Sequence, residues 1–175
     1  MSDLRPLKQN PFRNVRNLEQ EIIAKERQDV SDDTLKHLGI DVFDINSTGN
    51  VENLNKNGCI LFIPIENDHT GHYICVWYDY YKKRWIVFDP YGVPLRKLAM
   101  MTTGVPDLLM NLVLTNPDEN TIDFESQKKT FATCGRWCYI RLLKKELSHQ
   151  EFKYWCNFRG LSYDDLVSLL TYSLM

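Results

Sequence analysis

The chain has 175 residues, 43% hydrophobic and 25% charged, with 21 Lys and Arg against 23 Asp and Glu for a formal net charge of −2. That length suits one domain with a core of its own, and so small a net charge argues against sequence-blind binding along a phosphate backbone. No run approaches the roughly 18 consecutive apolar residues of a membrane span, and the N-terminus has no apolar centre of a secretory signal.

Residues 1–17, polar and carrying Pro6 and Pro11, read as a poorly ordered leader to a single domain over 18–175. Leu18–Arg27 has helix-forming composition with one face to dock. Ser31 offers an N-cap with Asp32 and Asp33 in the first turn, and Gly39 stops the short helix that follows. Residues 46–57 are polar and turn-rich and are expected to stay out of the core. Cys59–Ile65, Tyr73–Tyr78 and Trp85–Phe88 are short apolar runs rich in β-branched and aromatic residues, the last two joined by the polar Tyr80–Lys83 as a hairpin. Their lack of alternation predicts a sheet covered on both faces. Pro106-Asp107 opens a helix bearing Leu108, Leu109, Leu112 and Val113, and Thr121–Phe124 is expected as a short strand. Trp137–Leu143 is apolar nearly all round and ends in Lys144-Lys145, where cations favour a helix C-terminus. Ser148-x-x-Glu151 and Ser162-x-x-Asp165 are capping signatures for two last helices. The order predicts an α+β fold: a central buried helix on a mixed, mainly antiparallel sheet, flanked by further helices.

Five cysteines, an odd count set mostly in apolar runs, suit free thiols in a reducing compartment. Cys134 lies at the N-terminal end of the buried-looking helix, where free N–H groups and the helix dipole stabilise a thiolate, and Gly135 would let a substrate approach the backbone. A small buried thiol explains the same position equally well. Cys138, one turn on, reads as core. Of the four histidines, His37 and His149 are expected in solvent and His69 in a loop, whereas His72 adjoins the Tyr73–Tyr78 strand. Asp89 follows Trp85–Phe88 directly. It is either an Asp-Pro turn initiator or, at the same end of the hairpin as His72, the carboxylate that orients an imidazole. Asp79 falls at the opposite end. Gln127, seven residues before Cys134, has a neutral amide suited to an oxyanion, although a lone Gln beside two lysines carries no signal. No phosphate-binding glycine loop, zinc spacing or dinucleotide fingerprint occurs, so no cofactor or metal is expected. The aromatics of 73–91 are read as core and hairpin pairs rather than base-stacking platforms.

Taken together, Gly71-His72-Tyr73, Phe88-Asp89-Pro90-Tyr91-Gly92, Gln127 and Cys134-Gly135 resemble the ordered His, Asp, Gln, Cys set of the adenain-like cysteine peptidases. That clan holds the adenovirus maturation proteinases and the proteases of SUMO and other ubiquitin-like proteins. The likeness covers about residues 30–145 and includes Leu38-Gly39 and Phe43-Asp44, which are similar to that family's early helix and substrate-side strand. It implies an endopeptidase that processes viral capsid precursors, carried by a virophage or a related small double-stranded DNA virus and present in the virion and the infected cell's cytoplasm. It assigns Cys134 as nucleophile, His72 as general base, Asp89 as its orienter and Gln127 as oxyanion donor, with Tyr73 and Gly135 on the substrate side. Tyr73 stands where the family usually has Trp, and no cysteine lies between Asp89 and Gln127 to anchor a disulfide-linked activating peptide. The acidic balance equally gives no support to DNA as an activator. The expected partner is therefore the capsid precursor alone, met by a monomer with no membrane. Two rivals remain: an enzyme with the same nucleophile acting on host ubiquitin-like conjugates or as an acyltransferase, and a catalytically silent module holding a peptide or nucleic acid.

Overall fold

A computed structural model describes residues 30–67, 70–124, 133–157 and 161–174, together with residues 20, 21 and 24, which are helical. The expected leader, most of the first expected helix, His69 and Gln127 lie outside the described residues. Helix α1 (Asp32–His37) starts where the sequence places it: Ser31 Oγ accepts from Thr34 N–H, and Gly39 takes a φ of +80° to leave the helix. Strands β1 (Asp41–Asp44), β2 (Cys59–Asn67), β3 (Thr70–Asp79), β4 (Arg84–Phe88) and β5 (Asp118–Glu119) form one sheet in the order of the chain. β2, β3 and β4 are an antiparallel meander, while β1 and β5 add in parallel at its two edges. A parallel neighbour requires a crossover. Residues 45–58 make the first, and helices α2 (Leu95–Met101) and α3 (Asp107–Leu114) make the second.

Strand parity divides the core. Ile60, Cys75, Trp77, Ile86 and Phe88 face helix α4 (Cys134–Leu143) and, beyond it, α5 (His149–Trp155) and α6 (Tyr163–Thr171). Leu61, Ile63, Ile74, Val76 and Val87 face α2 and α3. Both faces are covered, as the unbroken apolar runs predict, and the fold is α+β with a buried helix on a mixed sheet. Every residue from Cys134 to Leu142 is buried, Arg136 and Arg141 included. Arg141 is tolerated because its fork donates to Lys144 O at 2.6 Å and Leu147 O at 2.7 Å, with Trp77 and Phe152 rings against the guanidinium. It, rather than Lys144 or Lys145, satisfies the carbonyls past the end of α4. Both capping boxes predicted for α5 and α6 are formed.

Two expectations need correction, and one helix was not expected. The polar loop 46–57 is not wholly outside the core, since Val51 and Leu54, around a 3-10 turn, are buried on the α2–α3 side. The short strand expected at Thr121–Phe124 is instead β5, three residues earlier, because Asn120 ends the ladder with its side chain and Phe124 N–H turns back to Pro90 O at 2.7 Å. Helix α2 is unannounced in sequence: Pro94 precedes it without a side-chain cap, and Leu95 and Leu98 are its only buried residues.

Candidate active site

The end of the sheet where β3 begins and β4 finishes gathers the residues singled out above. His72 lies in β3 opposite Ile63, and Asp89 follows Phe88, the last residue of β4, which pairs with Cys75. Adjacent antiparallel strands thus bring the two side chains to one place across 17 residues, with exposures of 2% and 1%. His72 Nε2 and Asp89 Oδ1 are 3.0 Å apart. The same oxygen accepts from Tyr91 N–H at 2.6 Å, while Gly92 N–H returns to Asp89 O at 2.9 Å and closes the turn. Gly92 is required there: its φ is +65°, and a Cβ would press on the Thr121 and Ile122 backbone at 2.9 Å. The Tyr91 ring stacks on the imidazole, centroids 4.7 Å apart and planes 22° from parallel.

Cys134 is the first residue of α4, 7% exposed, and its thiol lies close enough to the imidazole to act on it electrostatically. Because Nε2 is committed to Asp89, the ring nitrogen left for the thiol is Nδ1. Burial alone would push the His72 pKa down from 6.5, but the Asp89 charge and hydrogen bond outweigh it, and with the Cys134 contribution the imidazole is raised to about 10. An imidazolium wedged between a carboxylate and a sulfur is the state this pocket favours. Such an arrangement can hold a thiolate as an ion pair and lend a proton to a departing group.

The start of α4 also presents main-chain donors. Thr133, at the cap position, makes no side-chain cap bond; its hydroxyl donates instead to Asp164 Oδ1 of α6 at 2.8 Å. The first-turn N–H groups of a helix in that state suit a developing negative charge.

The structure places the two expected substrate-side residues, Tyr73 and Gly135, against the protein's own α1 side. The Tyr73 hydroxyl donates to Asp32 Oδ1 at 2.5 Å, tying the ring to α1. A Cβ on the buried Gly135 would meet Val30 at 3.3 Å and Tyr73 at 3.4 Å. The room left by the missing side chain is therefore taken by the protein's own residues, not by an approaching substrate. Gly71 makes similar room, for Phe62: a Cβ there would lie 2.3 Å from that ring.

Among the remaining groups, Cys138 is core as read, with its thiol pushed well up by burial and Sγ donating to Tyr73 O at 3.4 Å. His37 is exposed. His149 is not in solvent: it is half-buried, Nε2 donates to Asp118 O at 3.2 Å, and burial lowers its pKa. Sequence reasoning gave no role to Tyr91 or to Asn120, the latter hydrogen-bonded to the main chain of Asp89. Tyr91 sits inside the Asp-Pro-Tyr-Gly turn, and an aromatic two residues after the acid was its only signal.

Against known proteins, the chain is similar to the uncharacterized protein V9 of Sputnik virophage, with 28% identity over 129 residues that cover 65% of this chain and 72% of that protein. A virophage origin is consistent with that likeness. No protein-family profile and no solved structure matches the chain. Among the described residues no helix is long and apolar enough to cross a membrane, and no three His, Cys, Asp or Glu side chains converge as metal ligands.

Proposed function

We infer that the chain is a cysteine endopeptidase that cleaves capsid precursor proteins of a virophage or related small DNA virus. One observation carries the reading: a buried imidazole is bonded to a carboxylate through Nε2 and reached by a thiol that begins a buried helix. The similarity to a virophage protein supports the viral setting.

In the reaction, the Cys134 thiolate attacks the scissile carbonyl carbon and the π pair moves onto oxygen. That oxyanion is met by N–H groups at the start of α4 and by the Gln127 amide, whose part rests on its place in the sequence. His72 gives its Nδ1 proton to the leaving amine, and the C–N bond breaks to leave a thioester. The now neutral imidazole takes a proton from water as the oxygen attacks the thioester, and the second intermediate expels the thiolate. Asp89 keeps the ring in register and stabilises its charged form throughout.

The test is co-expression of the full chain with the coat precursor of its own genome. Cutting by the wild type and none by Cys134→Ala supports the reading. Cutting of ubiquitin-like conjugates with the precursor left whole would transfer the activity to host substrates, and undiminished precursor binding by Cys134→Ala without any cut would make the cleft a binding module.

A further inference from the structure

β4 ends at Phe88, so Asp89 stands where strand pairing runs out, and β5 beside it is only Asp118–Glu119. Asn120 N–H reaches Val87 O at 3.3 Å, the last main-chain bond of the β4–β5 ladder. From there the side chain takes over. Asn120 Oδ1 accepts from Asp89 N–H at 2.7 Å, and Nδ2 donates to Asp89 O at 2.8 Å. One carboxamide thus offers the acceptor and donor that a further strand residue would supply. Its second N–H donates to Ile122 O at 2.9 Å, which bends the chain away behind Asp89. Asn120 is 3% exposed, so these bonds are made out of water.

The consequence falls on the carboxylate. Asp89 Oδ1 is aimed at His72 by a turn in which Tyr91 N–H and Gly92 N–H both bond back to Asp89 itself, while Pro90 O accepts from Phe124 N–H at 2.7 Å. Among the described residues Asp89 Oδ2 has no hydrogen-bond partner, and besides His72 the carboxylate takes the Tyr91 N–H bond from its own turn, which moves with it. Where Asp89 sits is therefore set by what grips its main chain, and displacements of about half an ångström matter in such sites. We propose that Asn120 is a positioning residue that clamps the Asp89 backbone so that its carboxylate meets His72 Nε2. The inference rests on reading Cys134, His72 and Asp89 as a thiol-peptidase site. An aspartate at position 120 keeps the acceptor but loses both donors, and a serine is too short to span the N–H and C=O of Asp89 together.

The experiment uses the full chain and iodoacetamide, following alkylation of Cys134 by mass spectrometry from pH 5 to 11. Asn120→Ser and Asn120→Asp are compared with wild type and with Leu109→Ala, which lowers stability from the core on the opposite face of the sheet. All are assayed at a temperature where circular dichroism shows them folded. The expected result is labelling near pH 7 slowed about tenfold or more in the Asn120 variants, with the onset moved to higher pH and convergence with wild type at the alkaline end. Leu109→Ala should follow the wild-type profile. Asn120 variants that superimpose on a wild type labelling well below the range of an ordinary thiol overturn the clamp alone. A wild type that itself labels only as an ordinary thiol overturns the three-residue reading and the clamp with it.

Discussion

Asp89→Asn changes one atom's chemistry in a pocket whose charge balance is visible. Against the downward push of burial, the Asp89 carboxylate, joined by Cys134, raises His72 from the ordinary 6.5 to about 10. At about 1.4 kcal/mol for each factor of ten, that difference corresponds to about 5 kcal/mol in favour of the imidazolium. An amide still accepts from Nε2–H through Oδ1 but carries no charge, so burial is then opposed mainly by Cys134 and the ring is expected mostly neutral at pH 7. The imidazolium, nearly complete at pH 7 in the wild type, should become the minority form there, and its pairing with the Cys134 sulfur should weaken with it. The second atom matters too. Asp89 Oδ2 is buried with no partner among the described residues, so an amide nitrogen placed there costs about 1–3 kcal/mol of stability. The assay is the rate of Cys134 alkylation against pH, with urea unfolding run in parallel. Wild type should label strongly below pH 7, and the variant should lose that reactivity while meeting wild type at alkaline pH. Equal profiles from pH 6 to 9, in a variant shown to be folded, refute the electrostatic argument.

Other consequences follow from the same geometry. Since His72 is raised above its unfolded value, its contribution to stability is complete below about pH 6.5 and is lost as pH climbs through about 10; unfolding free energy should decline over that window, and His72→Gln should flatten the decline. Gly71→Ala should cost about 1–3 kcal/mol by driving the new methyl into Phe62, and Phe62→Leu should recover part of the loss in urea titrations. Gly92→Ala, pressed against backbone at positive φ, should find no such rescue. Arg141→Lys keeps the charge but cannot form the fork to Lys144 O and Leu147 O or lie flat on Trp77, so it should destabilise by about 2–4 kcal/mol with Cys134 labelling unchanged in the folded fraction.

The parts of the fold legible in sequence are those whose signal is local. β2, β3 and β4 are short apolar runs between turn residues, and α1, α5 and α6 carry caps that form as written. β5 was displaced because its end is set by Asn120 bonding to Asp89, 31 residues away, which no window of neighbours reveals. The same applies to Thr133, whose hydroxyl suits a cap but is drawn off by Asp164 from a later helix. α2 has no cap of its own and no long periodicity; Leu95 N–H donates to Glu119 Oε2 at 2.7 Å, 24 residues away, and Leu95 and Leu98 pack into the core. His72 and Asp89 were legible as neighbours because hairpin register carries position across a known turn length. Gly135 misled because a missing side chain shows that something comes close without showing what; here it is Val30 and Tyr73. His149 misled in the opposite way, since it follows the Ser148 cap while its ring is held by the Asp118 carbonyl.

The most direct measurement is mass spectrometry of the chain acid-quenched within seconds of mixing with the coat precursor. The account predicts a precursor fragment joined to Cys134 as a thioester, absent with Cys134→Ala and with His72→Ala. Cleavage that persists in Cys134→Ala, or a precursor left uncut with Cys134 unmodified, would contradict it.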